Sequence, residues 1–130
     1  MSKKIQYHNG RVIGELLKKI GPKDAAVRID SEWELQIYYS DRDEDSMTIE
    51  MCLHTTLQGD SLYDPSMRIE LDLDTKGHVK TAKALSYWSR TPFCDMELIP
   101  EDEDLDERLD NWLNNLKQQG YYTGEVTKIE

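Results

Sequence analysis

The middle of the chain alternates apolar and polar residues with a period of two, and this pattern constrains the fold more than any other feature. The alternation covers three segments: 33–39, 47–53 and 67–73. Strands with one apolar and one polar face form antiparallel sheets that are covered on one side only. We interpret three further segments as strands: 25–30, 78–88 and 93–99. The sequence therefore predicts an antiparallel sheet with one solvent-facing surface.

Two segments nearer the ends of the chain have the helical period instead. Apolar residues recur at helical spacing from Val12 to Ile20 and again from Leu105 to Leu116. Gly21-Pro22 ends the first pattern, and Gly120 follows the second in the position of a C-cap. We therefore predict an α+β fold: an antiparallel meander sheet of four to six strands with an N-terminal and a C-terminal helix packed on one face.

The chain is long enough for one hydrophobic core, and we predict a single domain over residues 1–130. The polar ends, 1–8 and 123–130, could fray, and the tail from Tyr121 could instead form a final strand. Cys52 and Cys94 form neither a disulfide framework nor a metal-ligand spacing. Together with the lack of a signal peptide, this pattern favours a cytoplasmic protein. We expect no metal and no cofactor, because no motif for either is present.

The net charge of −10 argues against a protein that binds nucleic acid directly or lies on an anionic membrane, since both need a basic surface. No apolar run approaches the ~20 residues of a membrane span. The charge is also uneven: residues 1–28 carry a net charge of +5, which leaves −15 on the remainder. An acidic protein of this kind attracts basic partners.

Most of the excess acid lies just ahead of the second helical pattern. Its seven carboxylates are Glu101, Asp102, Glu103, Asp104, Asp106, Glu107 and Asp110. Carboxylates stabilise the first turn of a helix by about 0.3–1 kcal/mol each, but seven of them exceed that need because neighbours repel. A row of carboxylates on a helix also resembles the phosphates of DNA, so it could occupy a basic groove of a nucleic-acid enzyme.

Gly59-Asp60-Ser61-Leu62 spells the signature of the GDSL esterases, in which the serine is a nucleophile. That family pairs its serine with a histidine in a late Asp-x-x-His element, which this chain lacks. We therefore interpret Gln58–Ser66, with its Asp60, Asp64 and Pro65, as a loop between two strands. In the same way, Asp41–Asp45 begins like a calcium loop but lacks the glycine and the glutamate that such a loop needs.

An enzyme is a competing interpretation that the residues leave open. His54 and Cys52 fall on the polar face of one predicted strand, so they could act as base and nucleophile in a small hydrolase or as half of a metal site. Such a site would require a pocket that gathers Asp60, Asp64 and either His54 or Cys52. Exposed aromatic residues beside acids would instead suit a protein-binding surface; the candidates are Tyr38, Tyr63, Trp88, Tyr121 and Tyr122.

Two patterns resemble an uncharacterised small-domain family of bacterial phages and conjugative elements. One is Gly-Asp-x-x-x-Asp-Pro-x-Met at residues 59–67, and the other is Trp-x-x-Asn-Leu-x-x-Gln-Gly-aromatic at residues 112–121. The chain departs from the family at Gln58, where an Asn commonly stands, and in the position of His54. The resemblance implies a mobile-element context and an α+β fold, without a mechanism.

These observations lead to the hypothesis of a small acidic accessory protein that binds another protein without catalysis. We expect a partner with a basic surface. The predicted contact residues are the seven carboxylates of 101–110 with Gly59, Asp60, Asp64 and Pro65. One alternative is an inhibitor of a host nucleic-acid enzyme, of the anti-restriction or anti-CRISPR type, that acts by charge mimicry. The other is a small hydrolase or metal-dependent enzyme that uses the Gly59–Pro65 loop. The oligomeric state stays open.

Overall fold

Seven antiparallel strands form one open sheet in the computed structural model, which describes residues 2–91 and 94–129. The strands are β1 (Ala25–Arg28), β2 (Glu34–Arg42), β3 (Ser46–Leu57), β4 (Asp60–Leu73), β5 (Val79–Thr91), β6 (Cys94–Leu98) and β7 (Glu125–Lys128). Their order across the sheet is β6-β5-β4-β3-β2-β1-β7. The first six strands therefore follow a meander, and β7 pairs with the outer edge of β1.

Two helices cover one face of this sheet: α1 (Ser2–Ile20) and α2 (Leu105–Gln119). A short 3-10 helix, Tyr121–Thr123, joins α2 to β7. Asp104 caps the N-terminus of α2, and Gly120 ends the helix with a left-handed φ of 100°. The α+β class, the antiparallel sheet and the packing of both helices on one face are confirmed.

The core lies between the helices and the inner face of the sheet. Leu16 of α1 and Leu113 of α2 are completely buried against strand residues such as Ile37, Met51 and Ile69. The alternating pattern explains this arrangement, because every second residue of β2, β3 and β4 points inward. The opposite face of the sheet has no helix on it among the described residues.

The strand number and the strand ends differ from the prediction. Among the described residues there are seven strands instead of four to six, because the C-terminal tail, for which both a final strand and a frayed end were open, forms a strand over residues 125–128 that pairs with β1. The helix α1 begins at Ser2, within residues 1–8, the other end of the chain for which fraying was considered. Phe93, the expected first residue of the last meander strand, lies outside the described residues.

Gln58–Ser66 is not the loop that we predicted. Gln58 and Gly59 alone form the turn, with φ values of 53° and 87°, and Leu57 pairs directly with Asp60. Two consecutive positive φ angles are typical of a type I′ turn, whose twist matches that of the flanking strands. The β3–β4 hairpin therefore continues far beyond the predicted strand ends, and β4 already includes Ser61, Asp64 and Pro65.

Neither helix of the described residues is both long and apolar enough to cross a membrane.

Candidate functional site

The uncovered face of the sheet carries a cluster of aromatic rings near the end of the β3–β4 hairpin, which we call the aromatic cluster: His54, Tyr63, Trp88 and Arg90. The centroids of the His54 and Tyr63 rings are 5.0 Å apart, and those of Tyr63 and Trp88 are 5.4 Å apart. Arg90 places its guanidinium carbon 5.2 Å from the centroid of Trp88, within the range of a cation–π contact. Register creates this cluster, because Tyr63 pairs with both His54 and Arg90 across the neighbouring strands.

A chain of polar side chains leads away from the cluster along the same face. Glu34 accepts hydrogen bonds from Arg28 Nε at 2.9 Å and from Gln36 Nε2 at 2.8 Å. Gln36 Oε1 in turn accepts from the Tyr38 hydroxyl at 2.9 Å and from the Cys52 thiol at 3.7 Å. The polar face of the sheet is therefore ordered around Glu34 and Gln36 instead of carrying independent, solvated side chains.

Burial raises the pKa of the Cys52 thiol to about 12, and the neighbouring carboxylates of Glu50 and Glu34 add to this effect. Burial is also the main cause that raises the pKa of the Tyr38 hydroxyl above its ordinary value. Both groups therefore keep their protons at neutral pH. A protonated thiol is a poor nucleophile and a poor metal ligand, so Cys52 is not suited to the catalytic role that the sequence left open.

His54 lies between a serine and a glutamate. Its Nε2 atom is 3.2 Å from Ser61 Oγ, and its Nδ1 atom is 3.9 Å from Glu34 Oε1. The first distance is a hydrogen bond, whereas the second is an electrostatic contact longer than a hydrogen bond. The His54 side chain is 17% exposed, while Ser61 is open to solvent. The order serine, histidine, carboxylate is that of a nucleophile, a general base and a group that orients the base.

The remaining residues of the predicted loop are dispersed. Gly59 and Asp60 lie at the turn of the hairpin, where Asp60 is exposed. Asp64 accepts a hydrogen bond of 2.8 Å from the hydroxyl of the buried Ser89, so it ties β4 to β5. Pro65 lies in an irregularity of the β4–β5 pairing and follows a cis peptide bond. No group of three or more His, Cys, Asp and Glu side chains with metal-binding geometry occurs in the described part of the chain.

Several carboxylates of the acidic block hold the start of α2 in place. Asp102 accepts from the backbone N–H of Ile99 at 2.9 Å, and Asp104 accepts from that of Glu107 at 3.2 Å. Glu103 receives two hydrogen bonds from Arg108, and the side-chain hydrogen bond from Arg108 holds the pKa of Glu103 below its usual value. These acids therefore have structural partners in the same segment.

Asp106 and Asp110 instead connect α2 to the rest of the protein. Asp106 is 8% exposed and accepts hydrogen bonds from Ala84 N and Gln6 Nε2, both at 2.9 Å. Asp110 lies 3.3 Å from His8 Nε2 on α1. Asp106 therefore points into the fold, where it accepts a hydrogen bond from a buried backbone N–H, and it is not part of an exposed row of carboxylates.

The acidic helix and the Pro65 end of the predicted loop do meet. They line a groove of about 650 Å³ together with the ring of Tyr87. The acids of this groove are Glu103, Asp104 and Glu107, and Arg108 lies among them over the Tyr87 ring. Two acids of the block, Glu101 and Glu107, are exposed and have side chains without a partner among the described residues. These two carboxylates remain available to a partner.

Sequence reasoning missed the contacts of His54 with Ser61 and Glu34. The alternating pattern places His54 on the polar face, but the position of Ser61 depends on the length of the hairpin turn. Gln58-Gly59, with its glycine, was the available signal for a two-residue turn. Arg90 was missed beside Trp88 because the predicted strand ended at Trp88, whereas β5 continues to Thr91 and places both residues on the same face.

Comparison with known proteins gives no relative: no family model, no curated protein and no solved structure matches this chain.

Proposed function

We propose that this protein is a non-catalytic module that binds another protein through the uncovered face of its sheet, with the aromatic cluster at the centre of the contact. The observation that carries the proposal is the packing of the Tyr63 and Trp88 rings, with Arg90, on a face that no helix covers. Tyrosine, tryptophan and arginine supply most of the binding energy in protein interfaces. The polar residues around the cluster provide the rim that such a contact needs.

The chemistry of the surrounding residues favours a basic partner. The outward-facing acids of this surface are Glu34, Glu50, Glu70, Asp72, Asp95 and Glu97. The outward-facing cations are Arg28, Arg68, Lys83 and Arg90. This excess of acid would attract a basic protein surface and raise its rate of association. The resemblance to a family of phages and conjugative elements suggests the cytoplasm of a bacterial host as the setting.

The experiment compares capture of partners from bacterial lysate by the wild-type protein, Trp88→Ala and Tyr63→Ala. Tyr7→Ala is the matched control, because Tyr7 is an aromatic residue that is 51% exposed on α1, in the layer on the other side of the sheet. A partner retained by the wild type and by Tyr7→Ala but lost by both cluster variants supports the proposal. Thermal unfolding of each variant shows whether a loss of binding is a loss of fold.

The same experiment separates this proposal from charge mimicry by the acidic helix. Neutralising the whole block would remove Asp104 and Asp106, which hold α2 in place. Glu101→Gln with Glu107→Gln removes instead the two exposed carboxylates that have no partner among the described residues. The alternative outcome is a partner that is lost in that double variant and at high salt but retained by Trp88→Ala. This result would place the contact on the acidic helix and favour the alternative that the protein inhibits a nucleic-acid enzyme.

A second candidate function is ester hydrolysis, favoured by the contact of Ser61 with His54. In this reaction Ser61 Oγ bonds to the carbonyl carbon of an ester while its proton passes to His54 Nε2. The tetrahedral adduct then collapses and expels the alcohol, which takes the proton back from His54. Water finally hydrolyses the ester bond between the acyl group and Ser61, which releases the acid and restores the serine. Hydrolysis of p-nitrophenyl acetate that disappears in Ser61→Ala and His54→Gln, but persists in Ser40→Ala, would support an enzyme.

A further inference from the structure

A larger groove lies on the helix-covered side of the sheet, between the C-terminal half of α1 and the ends of β2, β3 and β5. The groove is partly open to solvent and has a volume of about 880 Å³, within the range of about 300–1,000 Å³ that is typical of small-molecule sites. Its apolar lining comes from Leu17, Tyr39, Met47 and Val79. The Tyr39 hydroxyl donates a 2.8 Å hydrogen bond to the Gly21 carbonyl, which fixes this ring between β2 and the end of α1.

The rim of this groove is cationic although the protein is strongly acidic. Its four cations are Arg11, Lys18, Arg42 and Lys80. The two carboxylates of the lining are each held by a cation that does not line the groove. Glu15 lies 3.1 Å from Lys117, and Asp41 lies 3.8 Å from Arg68. Among the described residues, none of the four cations on the rim has a carboxylate partner.

We propose that this groove, which we call the cationic groove, binds a small amphipathic anion: a carboxylate, phosphate or sulfonate head group on an apolar body. The apolar lining would remove the body from water, and the four cations, none of which has a carboxylate partner among the described residues, would neutralise the head group. Charge complementarity selects an anion, because the net formal charge of the lining is positive. The cationic groove does not use the aromatic cluster, so this proposal is independent of the proposed function.

The first test uses 8-anilinonaphthalene-1-sulfonate, an aromatic sulfonate that fluoresces in apolar surroundings. We expect saturable binding to the native protein and displacement by decanoate but not by decanol, which has the same apolar body without charge. Displacement by decanol as effective as that by decanoate would overturn the proposal, because the cations would then play no part. If polyglutamate displaced the sulfonate and decanoate did not, the proposal would also be overturned, because the ligand of the groove would then be an acidic peptide.

The second test removes two cations from the rim. Lys18→Gln with Lys80→Gln should weaken binding of the sulfonate by about fivefold to tenfold, since solvent screens the attraction of each exposed cation. Lys83→Gln with Lys128→Gln is the matched control: it makes the same change in charge at two exposed lysines that do not line the groove. Equal affinities in the two double variants would overturn the proposal.

A third variant fills the cationic groove without changing its charge. Gly14 lines the groove, and a Cβ added there would contact only the Val79 Cβ, at 3.6 Å. The rest of a leucine side chain would extend into the groove, so Gly14→Leu should abolish binding of the sulfonate in a protein that thermal unfolding shows to be folded. A folded Gly14→Leu protein that binds with the affinity of the wild type would place the probe elsewhere and overturn the proposal. Trp88→Ala should leave this binding unchanged.

Discussion

Asp106, near the start of α2, accepts a 2.9 Å hydrogen bond from the backbone N–H of Ala84 in the middle of β5. The pairing of β4 with β5 shifts beside this point, between Arg68 and Ile69. The backbone carbonyl of Asp106 also accepts from the buried Asn9 of α1 at 3.0 Å. One acidic residue therefore joins both helices to the sheet.

Removal of the Asp106 carboxylate should destabilise the protein. Asp106→Ala leaves the buried N–H of Ala84 without an acceptor, which costs about 1–3 kcal/mol of unfolding free energy. Asp106→Asn should cost less, because an amide oxygen can still accept from Ala84. Urea denaturation followed by circular dichroism measures both. The control is Glu107→Gln, one residue along the helix and exposed; an equal loss in that variant would contradict this role for Asp106.

Two glycines of α1 should respond in opposite directions to alanine. At Gly10 an added Cβ would lie 2.7 Å from both the Lys80 carbonyl oxygen and the Thr81 Cα, so Gly10→Ala must push α1 away from β5. Such overpacking costs about 1–3 kcal/mol. At Gly14 the Cβ has room, and alanine should raise the unfolding free energy by about 0.5–1 kcal/mol through its helix propensity. Shifts of the same sign in the urea midpoints would contradict the close approach at Gly10.

The Cys52 thiol should be unreactive in the folded protein at pH 8. A rise of its pKa from 9.0 to about 12 lowers the thiolate fraction about 1,000-fold, and burial limits access further. Alkylation by iodoacetamide, measured in a Cys94→Ser background, should therefore be at least about 100-fold slower in the native protein than in urea. Comparable rates in the two conditions would contradict the burial of Cys52.

Because the Cys52 thiol is buried, we also expect the stability of the protein to fall at high pH. The unfolded thiol loses its proton near pH 9, whereas the folded thiol keeps it until about pH 12. Because the unfolded state binds fewer protons in this window, the contribution of Cys52 falls as the pH rises from about 9 to 12. The decline in unfolding free energy over this range should be shallower in Cys52→Ala than in the wild type.

A substitution in the turn of the β3–β4 hairpin should stabilise the protein. Gln58 adopts a φ of 53°, which costs a non-glycine residue about 1–2 kcal/mol, and Asn tolerates this conformation better. Gln58→Asn should therefore raise the unfolding free energy by up to about 1 kcal/mol, measured by urea denaturation. Gln118→Asn, at an exposed position of α2 where φ is helical, provides a control that should lose a few tenths of a kcal/mol.

The two helices and the inward-facing strand residues were predictable from sequence because periodicity alone determines which residues share a face. Leu113 and Ile37 are buried as the apolar patterns require. The contact of His54 with Ser61 was not predictable in this way, since it depends on the pairing register. The acidic block was predicted as a surface, yet local sequence could not reveal that Asp106 would meet an N–H of a distant strand.

The strand order has a consequence for how the chain folds. Pairing from β1 to β6 joins neighbours in sequence, so each hairpin closes a short loop at low entropic cost. Ala25, by contrast, pairs with Lys128 at the opposite end of the chain, about 100 residues away. Closing this contact directly from the unfolded chain would cost more loop entropy than closing any one of the hairpins. Formation of the meander and the packing of α2 on it should therefore precede the joining of β7 to β1, because they shorten the loop that this last pairing must close to the few residues between α2 and β7.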